Sequence, residues 1–185
     1  MNFPNQLTLL RAAATPLVLA LILARFPFHY LVAALVFGAA ALTDLFDGKI
    51  ARARGLVTNF GKLMDPLADK MLITAALVGL MRQGLCSAWV VFLILLREFA
   101  VTSIRLIAAG EGNVIAAARS GKAKTVVQIS SVILVLLLRE ALRFFSEATQ
   151  IFDWISAALL WAATALTVIS GLQIFWANKD HFKEI

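Results

Sequence analysis

The chain has 185 residues, of which 61% are hydrophobic and only 15% are charged. Soluble domains carry about 25% charged residues, so this composition excludes an ordinary water-solvated domain. The formal net charge is +6, but the basic residues are dispersed at the ends of apolar stretches, which favours contact with anionic lipid head groups over binding of nucleic acid.

Six long apolar stretches follow one another along the chain and predict an all-α integral membrane protein. With its flanks, each stretch approaches the roughly 20 residues that an α-helix needs to cross a bilayer. Short connections at Pro27, Gly84 and the Ser146–Glu147 pair predict antiparallel neighbours. No internal repeat is evident, so residues 1–185 are interpreted as one domain. The predicted spans cover residues 6–26, 30–53, 60–82, 87–109, 120–143 and 150–177.

The first apolar run, from Leu17 to Ala24, is interpreted as a retained helix rather than a signal peptide. No basic cluster precedes this run. The small residues of the segment 12–14 also come before it, whereas the small residues of a cleavage site follow the apolar run of a signal peptide.

The distribution of Lys and Arg predicts how the helices are oriented in the membrane. One set of span ends carries ten basic residues: Lys49, Arg52, Arg54, Lys62, Arg105, Arg119, Lys122, Lys124, Lys179 and Lys183. The other set carries four: Arg25, Arg82, Arg139 and Arg143. Because basic residues concentrate on the cytoplasmic side, both termini and the loops at 53–60 and 108–121 are expected in the cytoplasm.

Four aspartates lie inside the second and third predicted spans. A charge at membrane depth costs about 2.5 kcal/mol or more, so such residues need partners and usually mark function. Asp44 and Asp47 are three positions apart in the sequence, and Asp65 and Asp69 are four positions apart, so each pair occupies one face of its helix. This spacing indicates a functional cluster of carboxylates.

The two aspartate pairs are placed symmetrically about the 53–60 loop. Asp44 and Asp69 are nearly equidistant from its middle, and so are Asp47 and Asp65, which puts each pair of partners at a similar depth in an antiparallel hairpin. Small residues at Gly48, Ala51 and Gly61 would allow the two helices to approach closely. The sequence therefore predicts a polar cavity, open to the cytoplasmic side, between these helices.

Two divalent cations would neutralise the four carboxylates, and a set of oxygen-only ligands selects Mg²⁺, Mn²⁺ or Ca²⁺. The single cysteine, Cys86, and two distant histidines offer no competing metal site. One alternative is salt bridges to Arg52, Lys62 and Lys70, although Lys70 points about 100° away from Asp69 around the helix. The other alternative is a proton or cation pathway.

The spacing of these residues resembles the signature of the CDP-alcohol phosphatidyltransferase family. The matching residues are Asp44-x2-Asp47-Gly48-x2-Ala51-Arg52-x8-Gly61-x3-Asp65-x3-Asp69. The segments Pro4-Asn5-x2-Thr8-x2-Arg11 and Asp65-Pro66-Leu67-Ala68-Asp69-Lys70 are also similar to the family.

The resemblance implies a role for each matching residue. Asp44, Asp47 and Asp65 would coordinate two Mg²⁺ or Mn²⁺ ions bridged by the diphosphate of a CDP-linked lipid, with Asp69 as both a ligand and the general base. Two metals about 3.5–4 Å apart suit such an in-line displacement. The positions that would bind the CDP portion are Gly48, Arg52 and Thr58. Arg52 retains a simpler interpretation, as a cytoplasmic positive charge alone.

A second group of charges suggests a binding site for the phosphate of an acceptor alcohol. Its members lie in or near the fourth and fifth spans: Arg97, Arg105, Arg119, Lys122 and Lys124. Apart from Arg97, which lies deep in its span, these residues could merely obey the positive-inside rule. Arg97 could instead pair with a carboxylate on another span, since the neighbouring Glu98 does not share its helix face.

The segments around these charges resemble the branch of the family that makes phosphatidylglycerophosphate. They are Arg97-Glu98-x6-Arg105, Val114-x-Ala116 and Gly121-Lys122-x-Lys124-Thr125-x2-Gln128. The resemblance implies transfer of a phosphatidyl group from CDP-diacylglycerol to sn-glycerol 3-phosphate, with release of CMP, by a homodimer. The alternatives are a cardiolipin synthase of the same family, which takes phosphatidylglycerol, and, from another class, a cation transporter or channel. A short chain without a transit-peptide pattern favours a bacterial inner membrane.

Overall fold

The computed structural model describes residues 3–54, 59–110 and 119–177. Within these ranges all regular structure is helical, which confirms the all-α prediction. The helices are α1 (Phe3–Leu23), α2 (His29–Arg54), α3 (Asn59–Arg82), α4 (Ala88–Gly110), α5 (Arg119–Ala141) and α6 (Thr149–Ala177), and a 3₁₀ turn at Ser146–Ala148 precedes α6. Each helix lies within a few residues of its predicted span.

The six helices form a closed bundle whose neighbours differ from the chain order. Going round the bundle, each helix contacts the next in the order α1, α2, α5, α6, α4 and α3, and α3 contacts α1 again. The helices that carry the four aspartates, α2 and α3, also contact each other, but both pack extensively against α1. The first helix is therefore part of the site region, although the sequence places the site between the second and third spans alone.

The interior of the bundle is apolar over much of its length. Its buried apolar side chains come from all six helices and include Ile22, Phe37, Leu77, Ile94, Leu136 and Leu160. The contact between α1 and α3 depends on a small residue, because a Cβ added at Gly79 would lie 3.0 Å from Ile22 Cγ2. Small residues at such crossings allow helices to pack closely.

The distribution of apolar and polar side chains between surface and interior is partly reversed relative to a soluble protein. Large apolar side chains are exposed on all six helices, with Trp89, Trp154 and Trp176 each about two-thirds exposed or more. Arg11, Lys124 and Gln128 are nevertheless buried. Apolar surface of this extent is typical of proteins that contact lipid or a partner.

Two of the described helices are long and apolar enough to cross a membrane on hydropathy alone. They are the part of α1 from Gln6 to Leu23 and the whole of α6. A shorter apolar segment runs from His29 to Thr43 in α2. The four aspartates and the second group of charges lie in the other part of α2 and in α3, α4 and α5, which lowers the hydropathy of those helices.

Candidate active site

A buried arginine on the first helix contacts one of the predicted catalytic aspartates. The Arg11 side chain is 1% exposed, and its Nη1 donates to Asp69 Oδ1 at 2.7 Å. Its Nε donates to the carbonyl oxygen of Ala40 at 3.3 Å. Ala40 lies one helical turn before Asp44, so Arg11 joins α1 to both of the helices that carry aspartates.

The local sequence of α1 fits this position of Arg11. Thr8 and Thr15, one turn to either side, are also buried, and Thr15 Oγ1 donates to the carbonyl oxygen of Arg11 at 3.1 Å. A buried guanidinium needs an anionic partner, and Asp69, whose side chain is 38% exposed, provides one. This ion pair differs from the salt-bridge alternative, in which the aspartates pair with Arg52, Lys62 and Lys70.

The other three aspartates occupy the helices that the sequence predicts. Asp44 and Asp47 lie on α2, and Asp65 lies on α3, one turn before Asp69. The positions of these three side chains are outside the described part of the structure. Among the side chains that the structure describes, no three His, Cys, Asp or Glu residues lie close enough to share a metal. The predicted two-metal arrangement therefore stays a prediction.

Two of the three predicted CDP-binding residues lie on the same helix as Asp44 and Asp47. Gly48 and Arg52 belong to the last turns of α2, and Thr58 lies outside the described residues. Their contacts with a nucleotide also stay a prediction.

A second polar cluster connects α4, α5 and α6. Glu98 Oε1 forms an ion pair with Lys124 Nζ and accepts a hydrogen bond from Arg97 Nη1 at 3.2 Å. Arg97 Nη2 donates to Ser170 Oγ on α6 at 3.0 Å. The Lys124 and Arg97 side chains are only 6% and 9% exposed. A shared carboxylate therefore compensates two buried cations.

This cluster corrects the expectation for Arg97. Glu98 was expected to lie on a different face, and a carboxylate on another span was considered as the partner. In the structure Arg97 pairs with Glu98, because two long side chains can meet at their tips although their Cβ atoms diverge. Gly171 on α6 provides the space, since a Cβ there would lie 2.6 Å from Arg97 Cγ.

A cavity of about 190 Å³ lies between the two clusters. Its polar lining comes from three helices: Asp69, Lys70, Thr74, Glu98, Arg105, Lys124, Thr125 and Gln128. The structure thus brings the predicted base together with two of the predicted phosphate-binding residues, Arg105 and Lys124. Three cations outnumber the two carboxylates around this small space, and Asp69 also pairs with Arg11 outside the lining. The cavity therefore suits an anionic ligand that carries a reactive hydroxyl.

The remaining predicted phosphate-binding residues are placed differently. Arg97 does not belong to the lining of this cavity and instead borders an apolar groove between α4 and α6. Arg119 and Lys122 lie in the first turn of α5, and their side chains are outside the described set.

The sequence analysis assigns no site role to Arg11, Glu98 or Gln128, although all three stand in family-like segments. It considers Lys70 only as a salt-bridge partner. Lys70 Nζ donates to Thr102 Oγ1 on α4 at 2.6 Å, so this lysine links α3 to α4 while bordering the cavity. Gln128 lies one turn after Lys124 on α5. The spacing offered a signal for Gln128, because a polar residue one turn from an intramembrane charge shares a helix face with it.

The chain is similar to known proteins over most of its length. A family model described as CDP-alcohol phosphatidyltransferase matches residues 1–169. The chain belongs to this family. The match covers α1 to α5 and most of α6, so it includes the cavity and both polar clusters except Ser170.

Three relatives are similar to this chain over nearly its whole length, and each is named CDP-diacylglycerol–glycerol-3-phosphate 3-phosphatidyltransferase. The Bacillus subtilis protein is 42% identical and covers 98% of this chain and 97% of its own. The Rickettsia bellii protein is 34% identical, with the same coverage. The Sodalis glossinidius protein is 31% identical and covers 100% of this chain and 98% of its own.

Proposed function

We propose that this family member transfers the phosphatidyl group of CDP-diacylglycerol to sn-glycerol 3-phosphate, producing phosphatidylglycerophosphate and CMP. The observation that carries the proposal is the cavity in which Asp69 lies with Lys70, Arg105 and Lys124. The names of the three relatives support the choice of both substrates.

The reaction assigns distinct roles to the residues around the cavity. The primary hydroxyl of the acceptor attacks the lipid-bearing phosphorus of CDP-diacylglycerol, a new P–O bond forms, and the bond to CMP breaks. Asp69 receives the hydroxyl proton as general base. Lys124 and Arg105 bind the acceptor phosphate, which carries close to two negative charges at about pH 7. Arg119 and Lys122 extend this basic site at the start of α5.

Two residues support this site without touching the acceptor. Arg97 shares the Glu98 carboxylate with Lys124, so it helps to fix the position of Glu98. Arg11 holds Asp69 from α1. Both act as positioning residues.

The four aspartates form a donor set that suits two Mg²⁺ or Mn²⁺ ions, because all of its ligand atoms are carboxylate oxygens. When bound, these ions would neutralise the diphosphate and stabilise the charge of the leaving CMP. Gly48, Arg52 and Thr58 would hold the CDP portion, with the Arg52 guanidinium on a phosphate.

We further propose that all six helices span a bacterial inner membrane, with both termini and the cavity on the cytoplasmic side. The exposed apolar residues on every helix and the ten-to-four basic asymmetry support this topology.

Burial raises the pKa of the Cys86 thiol to about 11, so the native thiol reacts slowly. In a Cys86→Ser background, single cysteines at Thr58 and Ser87 should label from opposite sides. Labelling of Thr58→Cys from outside intact cells would contradict the orientation.

The family resemblance also implies a homodimer. Measuring the mass of the purified protein in detergent, corrected for bound detergent, tests this assembly, and the mass of a single chain would contradict it.

An acceptor panel tests the proposed reaction. Purified protein with Mg²⁺ should release CMP from CDP-diacylglycerol when sn-glycerol 3-phosphate is present, and much less with unphosphorylated glycerol or without acceptor. Greater activity with phosphatidylglycerol would identify a cardiolipin synthase instead. Absence of CMP release with every acceptor, combined with cation flux in proteoliposomes, would favour the transporter alternative.

A further inference from the structure

A glutamine on the cavity wall has polar atoms without partners. Gln128 is 2% exposed, and neither its amide oxygen nor its amide nitrogen has a hydrogen-bond partner among the described residues. A buried polar group left without a hydrogen bond destabilises the folded protein. Such a group in a native structure needs an explanation, and a bound ligand is one.

The surroundings of Gln128 indicate what kind of ligand would satisfy it. The side chain lies one turn from Lys124 on α5 and lines the same cavity as Asp69 and Arg105. Arg105 Nε is also buried, and no described residue forms a hydrogen bond with it. An amide offers both a donor and an acceptor, which matches a hydroxyl group, since a hydroxyl also donates and accepts. The cations of the cavity match a phosphate instead.

We propose that the Gln128 amide binds the central hydroxyl of the acceptor, so that this residue selects a phosphorylated polyol over a simple hydroxyalkyl phosphate. The inference rests on the proposed function and deepens it. With the acceptor phosphate on Arg105 and Lys124 and its primary hydroxyl at Asp69, the central hydroxyl lies between them. Two threonines, Thr74 and Thr125, also line the cavity. Gln128 is the neutral residue of the lining whose donor and acceptor are both buried without a partner among the described residues.

This arrangement has a consequence for acceptor selectivity. A site built to hydrogen-bond a hydroxyl rejects an analogue that lacks this group, because the protein's polar atoms then stay unpaired. The informative analogue is 3-hydroxypropyl phosphate, which keeps the phosphate and the primary hydroxyl but lacks the central one.

The test compares both acceptors in the purified full-length protein. The wild type should use sn-glycerol 3-phosphate with a kcat/KM about tenfold or more above that of 3-hydroxypropyl phosphate. Gln128→Met keeps the size of the side chain and removes its amide. It should bring the ratio close to one, mainly by lowering kcat/KM for sn-glycerol 3-phosphate, while the KM for CDP-diacylglycerol stays unchanged.

A matched control is Gln83→Met. Gln83 Nε2 donates to the carbonyl oxygen of Ile22 at 2.9 Å and does not line the cavity, so its removal should leave the acceptor ratio at the wild-type value. If Gln128→Met is poorly folded, Gln128→Asn gives a second measurement, because its shorter side chain retains the amide but should also lose discrimination.

The outcomes separate this inference from the proposed function. A wild-type ratio in folded Gln128→Met or Gln128→Asn protein would overturn the role of Gln128, even if both rates fall equally. A wild type that turns over neither acceptor would overturn the proposed function itself. A selective loss of discrimination in the Gln128 variants supports both.

Discussion

Buried charged residues occur at both ends of α5, but they make different kinds of contact. Near the end of this helix, Glu140 Oε2 accepts hydrogen bonds from the backbone N–H groups of Tyr30 and Leu31, at 3.1 and 3.3 Å. Near its start, Lys124 pairs with a side chain on α4 and lines a cavity. Both residues are about 5% exposed, and they are roughly 24 Å apart along the helix.

The difference separates structural polar groups from functional ones. The first N–H groups of a helix have no partners within it, so Glu140 completes the start of α2, and Arg143 forms an ion pair with the same carboxylate. At the other end of α5, cations from three helices surround a small space, and the Gln128 amide has no partner among the described residues. Burial alone therefore does not identify a functional site. The groups around a buried charge distinguish a structural role from a functional one.

The largest expected effect at the cavity end comes from the aspartates. Asp44→Asn should lower turnover by at least a thousandfold and weaken CDP-diacylglycerol binding, because it removes a ligand of ions that hold the diphosphate. EDTA should abolish wild-type activity, and Mg²⁺ or Mn²⁺ should restore it. Full activity in EDTA would contradict the metal assignment.

The pairing of Arg11 with Asp69 allows the chemical and structural roles of Asp69 to be separated. Asp69→Asn should impair turnover more than CDP-diacylglycerol affinity, but it also removes the carboxylate that pairs with the buried Arg11 guanidinium. Losing one partner of a buried pair costs about 3–5 kcal/mol. Arg11→Met should cost less, because the carboxylate that remains is 38% exposed and can be solvated.

The double variant Arg11→Met with Asp69→Asn makes this separation measurable. Thermal stability should recover relative to Asp69→Asn, whereas turnover of bound substrate should not. Recovery of turnover together with stability would show that Asp69 is only a partner for Arg11. The general-base assignment also fails if Asp69→Asn loses lipid affinity as severely as Asp44→Asn while it still turns over bound substrate.

A smaller effect is expected at the contact between α4 and α6. A Cβ at residue 171 would lie 2.6 Å from Arg97 Cγ, so Gly171→Ala should displace Arg97 and disturb the Glu98 carboxylate that it shares with Lys124. Overpacking of this kind costs about 1–3 kcal/mol. The expected result is lower thermal stability with a severalfold rise in the acceptor KM.

Gly38→Ala is the matched control for this variant, since its Cβ would meet only Ile133 Cδ1 at an ordinary 3.6 Å. It should keep the wild-type KM and stability. Equal effects of both substitutions would mean that the Arg97 position is unimportant.

The sequence predicted the helices well because their signal is local. Apolar length and breakers at Pro27 and Gly84 were sufficient to place all six helices within a few residues. The aspartate pairs could also be placed on α2 and α3, because helical spacing is regular.

The contacts between helices were harder to predict, because they depend on the order of packing. The spacing of the aspartates in α2 and α3 does not indicate that α1 packs against both helices. Arg11 was therefore not predicted as the partner of Asp69. The Arg97–Glu98 contact was missed because helix-face rules describe Cβ directions and not the reach of long side chains. Gln128 received no role because its lack of partners is visible only in the packed structure.

In the proposed reaction the start of α5 binds the acceptor, whereas its end supports the fold. The most direct test compares Lys124→Ala with Glu140→Ala in steady-state kinetics with both substrates. Lys124→Ala should raise the KM for sn-glycerol 3-phosphate about tenfold or more and leave the KM for CDP-diacylglycerol nearly unchanged. Glu140→Ala should lower thermal stability without changing either KM. An unchanged acceptor KM in Lys124→Ala, or an equal rise in both variants, would contradict the claim.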